Sequence, residues 1–367
     1  MTPSSNIEGY AGITLTDESE LVDAHSKYDI TIIIVSYNTQ AMTVECIRSV
    51  LEQTSVARYE VIVVDNASKD GSAEAIRRNF PDIKLIASTE NLGFARANNL
   101  AARHAHGSRL LLLNPDTVIL NHAIDRLHEF AIANPSCRIW GGRTLFADGS
   151  LNPTSCWRHA TLWSIFCFAA GLTRLKRSFF NPEAYGRWQR DSVREVDIVT
   201  GCFLLIDRQL WQQLDGFDPA FFMYAEEADL CLRGRKLGAR PTITPAATII
   251  HHGHASEPHH AEQRIKVLAG RITLMRRHGS PWAVFVGRLL YLMLPLTRLF
   301  FYGTLAMLSG RPELRRTAEN WRHVWQSRHR WINGWNDVAL DSARGGAHGH
   351  FPAPQAVDQK SFETTSH

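Results

Sequence analysis

The sequence carries no phosphate-binding glycine loop. Neither G-x-G-x-x-G nor G-x-x-x-x-G-K-[ST] occurs where a first strand turns into a helix, which argues against a dinucleotide oxidoreductase and a P-loop nucleotidase. It also lacks any C-x-x-C pair. Cys46, Cys137, Cys156, Cys167, Cys202 and Cys231 are scattered, as suits buried free thiols in a reducing compartment rather than a disulfide framework or a zinc site. Residues 1–27 are polar and acidic without the apolar run of a signal peptide, so a flexible tail and cytoplasmic residence are expected. No clear linker interrupts the 367 residues; one large α/β domain with appended segments is expected.

Charge is unevenly placed. The net value is only +4, yet residues 261–330 hold 13 Lys or Arg against three acids, Glu262, Glu313 and Glu319. Such a concentration points to a polyanionic partner, either nucleic acid or an anionic membrane face. Long apolar runs interleave these charges, which speaks against nucleic acid. The most apolar stretch, 281–308, is long enough to cross a bilayer, but Arg288, Pro295 and Arg298 interrupt it. Trp282, Tyr291 and Tyr302 are interface-type aromatics, and basic segments flank the stretch on both sides. These features predict an in-plane or re-entrant membrane helix within a membrane-associating segment, 271–335, followed by a disordered tail, 336–367.

The first third alternates strand and helix. Residues 30–37 (ITIIIVSY) form a continuous β-branched run, as expected of a strand buried on both faces of a parallel sheet. Residues 60–65 (EVIVVD), 83–87 and 110–113 follow as strands, with helices expected over 41–53, after Asp70 and Ser72, and over 94–104. Spacings of 25–30 residues are those of βαβ units. The polar clusters SYN, DNASKDGS and NPD each follow a strand, so an open parallel sheet brings them to one edge. Further on, a strand is expected over 195–206, a helix over 225–237 and a strand over 240–250. Residues 152–190, aromatic and basic, are expected to form an acceptor-facing excursion.

Several residues at strand ends have chemistry to offer. Asp65 can accept hydrogen bonds from a pyrimidine N–H or a ribose hydroxyl, or merely cap the next helix, as Asp70 does. Asp116, after the four leucines of LLLLNPDT, sits on the stiff support that a hard cation such as Mg2+ or Mn2+ requires, though Asn-Pro-Asp is also a common turn. Glu226, Glu227 and Asp229 crowd AEEADLC, either as a helix-dipole turn or as a source of a general base. His251, His252 and His254 end a strand-like run, where a neutral imidazole can ligate a metal; His259 and His260 are expected at the surface.

The order of these elements carries more than any one of them. IVSYN, VVDNASKDGS, ENLGFARANN, LLLNPDT, GCFLLIDR, GFDPAFFMYAEEADLCLRGRKLG and ATIIHHGHAS, over residues 29–256, resemble family 2 glycosyltransferases, within them the bacterial rhamnosyltransferase-like branch. The resemblance implies a GT-A fold, Rossmann-like and mostly parallel, over 28–270. It implies donor contacts from Val35, Tyr37, Asp65, Asn91, Gly93, Arg96, Asn98 and Asn114. Tyr37 would pack on the base, and Asn91, Gly93 and Asn98 would lie along the diphosphate and sugar. Asp116 occupies the last position of the family's D-x-D metal motif, and His251 matches the histidine completing that site, with Mg2+ or Mn2+ as cofactor.

Two departures stand out. Asn114 replaces an acid that many relatives carry, and Glu227 stands where the family usually has Asp as catalytic base. Glu226 and Asp229 therefore remain alternatives for that role. The implied activity is inverting transfer of a sugar from a nucleotide diphosphate donor, L-rhamnose from dTDP-L-rhamnose first and UDP-hexoses next. The implied acceptor is a lipid-linked or polysaccharide glycan, met at the cytoplasmic membrane leaflet. A non-catalytic nucleotide-sugar-binding or scaffold relative is the alternative. A sugar nucleotidyltransferase would carry a Gly-rich basic loop after its first strand, and SYNTQAM is not one.

Overall fold

Four runs of branched aliphatic residues become the centre of one sheet in the computed structural model, which describes residues 26–175, 177–253 and 260–335. β1 (Tyr28–Ser36), β2 (Tyr59–Asp65), β3 (Lys84–Ala87) and β4 (Gly107–Leu113) lie in the order β3-β2-β1-β4, all parallel. Ile30 to Ile34 are fully buried, and alternate residues feed opposite sides. Ile33, Val35, Ile62 and Val64 join one core, and Ile30, Ile32, Ile34, Val61 and Val63 the other. The period of two expected of a pleated strand thus fills two layers at once.

The crossovers are α1 (Gln40–Gln53), α2 (Ser72–Asn79) and α3 (Gly93–Ala102). On α1 the inward face is Cys46, Ile47 and Val50, while Leu51 is exposed. After β5 (Thr117–Ile119), α4 (Ala123–Ala133) and β6 (Ile139–Leu145), the sheet continues β4-β10-β6-β11-β5. Here β10 (Phe203–Asp207) runs antiparallel between β4 and β6, and β11 (Thr242–His251) returns parallel to β6. Parallel order dominates, and the reversed β10 splits the sheet into two halves.

A single strand over 195–206 does not form. The chain makes β8 (Arg194–Glu195) on the edge of β11, then β9 (Ile198–Val199) against β7 (Cys156–Trp157), and enters the main sheet only at β10. Asp197 interrupts the run by accepting from the His159 N–H and pairing with Arg235 at 2.6 Å. Residues 201–202 then turn the chain. α7 (Arg208–Gln213) and α8 (Glu226–Lys236) follow. All six cysteines are buried and unpaired.

The stretch 152–190 contains α5 (Leu162–Ala170), started by a Thr161–Ser164 capping box, and α6 (Arg177–Phe180). The chain closes with α9 (His260–His278), α10 (Pro281–Ser309) and α11 (Pro312–Gln326). Neither Arg288, Pro295 nor Arg298 interrupts α10, which is one continuous 29-residue helix. By length and composition it is the helix among the described residues that is long and apolar enough to cross a membrane. Trp282, Phe285, Phe300, Met307 and Leu308 on it are all more than 60% exposed. α5 packs alongside, Thr297 Oγ1 donating to Ala169 O at 2.7 Å. It adds half-exposed Trp163, Phe166 and Phe168, with Phe179 of α6 against Trp163. Together they form one broad apolar surface. The tails at 1–25 and 336–367, His254 and His259 lie outside the described residues.

Candidate active site

The strand-end clusters do meet. Asn38 N donates to Ser68 Oγ at 2.9 Å, Lys69 N returns to Asn38 Oδ1 at 2.7 Å, and Gln40 N donates to Asp70 Oδ2 at 2.8 Å. These bonds tie the ends of β1 and β2 together. Val35 is buried below them, and Tyr37 is half-buried at the rim. Asp65 is 3% exposed; one carboxylate oxygen accepts from Ser68 N, while Oδ1 is buried with no partner among the described residues. A hidden carboxylate oxygen without a donor is costly, and a ligand N–H or hydroxyl would relieve it.

Asn66, which sequence reading did not single out, organises the next loop. Its amide donates to Asn91 Oδ1 and Gly93 O, and its oxygen accepts from Leu92 N at 2.8 Å. Gly93 opens α3 at φ +76, and a Cβ there would lie 2.3 Å from Phe222 O. Only glycine fits that approach. Phe94 N donates to the same Phe222 carbonyl at 2.7 Å, so the start of α3 carries the acidic segment ahead of α8.

Other donor-loop candidates have structural partners. Asn98 is 1% exposed and its amide donates to Phe94 O. Arg96 is exposed and its Nε donates to Pro219 O at 3.3 Å. Asn99 exchanges two hydrogen bonds with the Phe217 backbone, at 2.8 and 2.9 Å. Both side chains anchor the 215–222 loop; nothing in local sequence marks Asn99 for this.

On the far side of β4, Asp116 and His251 face each other, Oδ1 to Nε2 at 3.5 Å, with Asn114 Nδ2 also 3.5 Å from Nε2. Burial pushes the Asp116 carboxyl up, but the His251 bond and charge outweigh it and hold it below the usual range. Burial likewise opposes charge on His251, but the Cys202 thiol and Asp116 beside it raise the imidazole to about 11. His251 Nδ1 is buried without a hydrogen-bond partner among the described residues. Two ligands 3.5 Å apart can share one cation at the roughly 2.0–2.2 Å distances of carboxylate and imidazole ligation. No cluster of three His, Cys, Asp or Glu is preassembled among the described residues. The pair therefore fits a cation that takes its remaining ligands from substrate phosphates and water, the usual habit of Mg2+.

The acid turn completes the site. Tyr224 and Ala225 both hold positive φ, +68 and +73, immediately before α8. Consecutive non-glycine residues there store strain of the order of 1 kcal/mol or more each. Glu226 is 4% exposed, and Glu226 Oε2 and Glu227 Oε2 are both buried without a hydrogen-bond partner among the described residues. Burial, and then the neighbouring Glu227, raise the Glu226 carboxyl well above its ordinary value; burial also raises Glu227. Asp229 is different. Arg233 at 2.7 Å and His278 at 2.8 Å hold it, and these contacts outweigh burial to keep its carboxyl low.

The 201–202 turn joins the acids to the Asp116–His251 pair. Cys202 O accepts from Asn114 N at 3.1 Å, its thiol lies beside His251, and a Cβ on Gly201 would sit 3.7 Å from the Glu227 Cβ. One edge of the sheet therefore presents a hidden carboxylate oxygen at Asp65, an acid–imidazole pair and two destabilised carboxyls.

The chain is similar to known proteins. Residues 31–207 match Glycosyl transferase family 2. The rhamnosyltransferase WbbL of Escherichia coli is 30% identical over 236 residues, 61% of this chain and 83% of that protein. The chain belongs to glycosyl transferase family 2. Among other family 2 relatives, the N-acetylglucosaminyl-diphospho-decaprenol L-rhamnosyltransferase of Mycobacterium tuberculosis is 27% identical over 52% of this chain. The O-antigen biosynthesis protein RfbC of Myxococcus xanthus is 28% identical over 57%. The chain spans 66% of the mycobacterial protein and 16% of the Myxococcus one. A mannosyltransferase from Pyrobaculum calidifontis, solved with GDP-Man and Mn2+, superposes with a TM-score of 0.51 at 18% identity, covering 89% of this chain and 92% of that one. This last likeness places the family 2 chain in the GT-A fold.

Proposed function

We propose that the protein is an inverting glycosyltransferase moving L-rhamnose from dTDP-L-rhamnose to a lipid-linked glycan in cell-surface polysaccharide biosynthesis. The observation that carries the reading is the juxtaposition, through the 201–202 turn, of the raised Glu226–Glu227 carboxyls and the Asp116–His251 pair. The rhamnosyl choice rests on the two rhamnosyltransferases among the relatives.

Asp65 Oδ1 accepts from the base or ribose, and Tyr37 packs on the base. Asn66 holds the Asn91–Gly93 loop beside the donor. Asp116 and His251 would hold Mg2+ or Mn2+, with Asn114 beside them on the donor side. The cation, when bound, takes up the negative charge that grows on the departing diphosphate. Glu227 is the base. It is more open than Glu226, yet shielded enough that its ionised form seeks a proton from the acceptor hydroxyl. Attack opposite the diphosphate forms the new glycosidic bond, breaks the old one and inverts the anomeric centre. Diphosphate leaves without a proton, so one base suffices, unlike the carboxylate pair of glycoside hydrolysis. Asp229, tied to Arg233 and His278, positions the turn.

The apolar face of α10, α5 and α6 lies in the cytoplasmic leaflet, bringing the site to a membrane-bound acceptor. An exposed continuous patch of this kind marks a membrane or partner surface, and basic residues near it add roughly 1 kcal/mol each on anionic lipid.

The test is a donor panel. Purified protein is incubated with dTDP- and UDP-sugars and Mn2+ or Mg2+, reading nucleoside diphosphate release with and without EDTA. The reading expects metal-dependent release from dTDP-L-rhamnose above all others. Silence across the panel in folded protein moves the assignment to a non-catalytic relative.

A further inference from the structure

The acid turn is held from behind by a strap, residues 330–335, that follows α11 and lies along α9. Arg330 pairs with both oxygens of Glu262, at 2.8 and 3.0 Å. Arg276 Nη1 donates to Asn333 O at 2.6 Å, and Trp335 N donates to Thr273 Oγ1 at 2.8 Å. Gly334 permits this close approach. Its φ is +74, and a Cβ there would stand 2.5 Å from Thr273 Oγ1 and 3.0 Å from Thr273 N.

Trp335 then crosses from α9 to the segment ahead of α8. Its Nε1 donates to Met223 O at 3.1 Å, across 112 residues of sequence. Its ring centroid lies 5.5 Å from that of Phe222, and both side chains are buried. From there the backbone serves the site in two directions. Phe222 O accepts from Phe94 N at 2.7 Å, at the start of α3. Met223 leads through the positive-φ pair Tyr224 and Ala225 into Glu226 and Glu227. Strained backbone of this kind persists only where its surroundings over-determine it. The α9 backbone backs the turn at Gly270, whose Cβ would meet Tyr224 O, and Trp335 supplies a ring and a hydrogen bond one residue earlier.

We propose that Trp335 is a positioning residue for the transfer reaction, acting through the Met223 and Phe222 backbones to hold Glu227 at its working place. The proposal rests on the reading of Glu227 as base. Trp331, in the same strap, supplies the contrast. It is fully buried, and its Nε1 donates to Val324 O at 3.0 Å, within the C-terminal segment. Each tryptophan thus makes one neutral bond to a carbonyl, of similar worth to stability. Only the Trp335 bond reaches the acid turn.

Full-length wild type, Trp335→Ala, Trp335→Phe and Trp331→Phe are compared. Release of nucleoside diphosphate from dTDP-L-rhamnose with Mn2+ gives kcat and donor KM. Thermal melting reports stability, and amide hydrogen exchange over 222–228 reports the order of the turn. Trp335→Ala should lower kcat by about tenfold or more with donor KM unchanged, as a small misplacement of a catalytic group does. Trp335→Phe keeps the ring and should recover part of that loss. Exchange over 222–228 should be faster in both. Trp331→Phe should melt as low as Trp335→Phe, yet keep wild-type kcat and wild-type exchange over 222–228. If Trp335→Ala does not fold, the two phenylalanine variants carry the comparison.

Wild-type kcat in both folded Trp335 variants overturns the proposal, whatever their exchange. So does a rise in KM alone, or a Trp331→Phe protein that loses as much kcat as Trp335→Phe. Wild-type protein that turns over no donor fails the sugar-transfer reading, and exchange then decides separately. Faster exchange over 222–228 in the Trp335 variants alone keeps the hold of Trp335 on the turn, and unchanged exchange overturns it.

Discussion

Gly270→Ala is the substitution that most sharply separates catalytic geometry from stability. Gly270 lies inside α9, where a Cβ would stand 2.3 Å from the carbonyl oxygen of Tyr224 and 3.0 Å from its carbon. Restoring even a tight 3.0 Å contact requires α9 and the acid turn to part by 3.0 − 2.3, about 0.7 Å. The obstacle is backbone, so no rotamer change relieves it. Helix propensity works the other way, since alanine is about 1 kcal/mol better than glycine in a helix interior. That gain offsets part of the roughly 1–3 kcal/mol that overpacking costs, so the fold loses at most about 2 kcal/mol.

Catalysis has no such compensation. Tyr224 and Ala225 lead directly into Glu226 and Glu227, and a displacement near 1 Å can cost about 100-fold in rate. The expected fall in kcat is about 10- to 100-fold, or roughly 1.4–2.7 kcal/mol on the barrier. Nucleotide affinity stays, because Asp65 and Tyr37 belong to other elements. Gly303→Ala on α10 is the control, since a Cβ there meets nothing within 4 Å. Donor turnover, nucleotide titration and thermal melting report the three quantities. Wild-type kcat in a folded Gly270→Ala protein would refute the placement of the base on this turn.

Four further outcomes are expected. Glu226→Gln leaves the acidic limb of the pH–rate profile, which lies above the ordinary carboxylate range, in place, because Glu226 is held well above its ordinary value by burial and by the charge of Glu227 and so is still neutral when Glu227 ionises; a clear move of that limb contradicts this order of ionisation. Because Cys202 and Asp116 beside it raise the His251 imidazole above its ordinary value, Mn2+ must displace its proton, and the apparent Kd should fall as pH rises from about 6 to about 9; a pH-independent Kd refutes that exchange. Asp229→Ala strands buried Arg233 and His278 contacts and should cost about 3–5 kcal/mol in urea unfolding at pH 7. The Asp229 carboxyl is held low, so its contribution is present above the unfolded value of 3.8 and fades as pH falls through the folded one; an equal loss at pH 2 and pH 7 contradicts it. Trp335→Phe keeps a ring against Phe222 but removes the Nε1–H bond to Met223 O, so about 1 kcal/mol of stability and some kcat go while donor KM holds; a KM effect alone argues against a positioning role.

The parts of this molecule legible in sequence are those whose cause is local. The aliphatic runs of β1, β2 and β4 are buried on both faces and so read as strands, and their polar endings necessarily share an edge. What depends on distant partners was not legible. Asn66 and Asn99 look like ordinary loop and helix residues until their amides meet the 91–93 and 217 backbones. Asp229 reads as one of three clustered acids, and nothing local marks its contact with His278, 49 residues onward. Residues 195–206 read as one strand because hydropathy cannot register that Asp197 pairs with Arg235. Pro295 reads as a break, but a helix tolerates one missing N–H when neighbouring helices pack around it, and Pro295 is buried within α10.

The central claim, a carboxylate base at Glu227 acting on a metal-held donor, is tested most directly by one comparison. Wild-type and Glu227→Gln proteins are titrated with Mn2+ and dTDP-L-rhamnose, and nucleoside diphosphate release is followed with acceptor present. The account predicts unchanged donor and metal affinity with turnover lowered by about 100- to 10,000-fold, the worth of a general base. Glu227→Gln protein that turns over donor at the wild-type rate would contradict it.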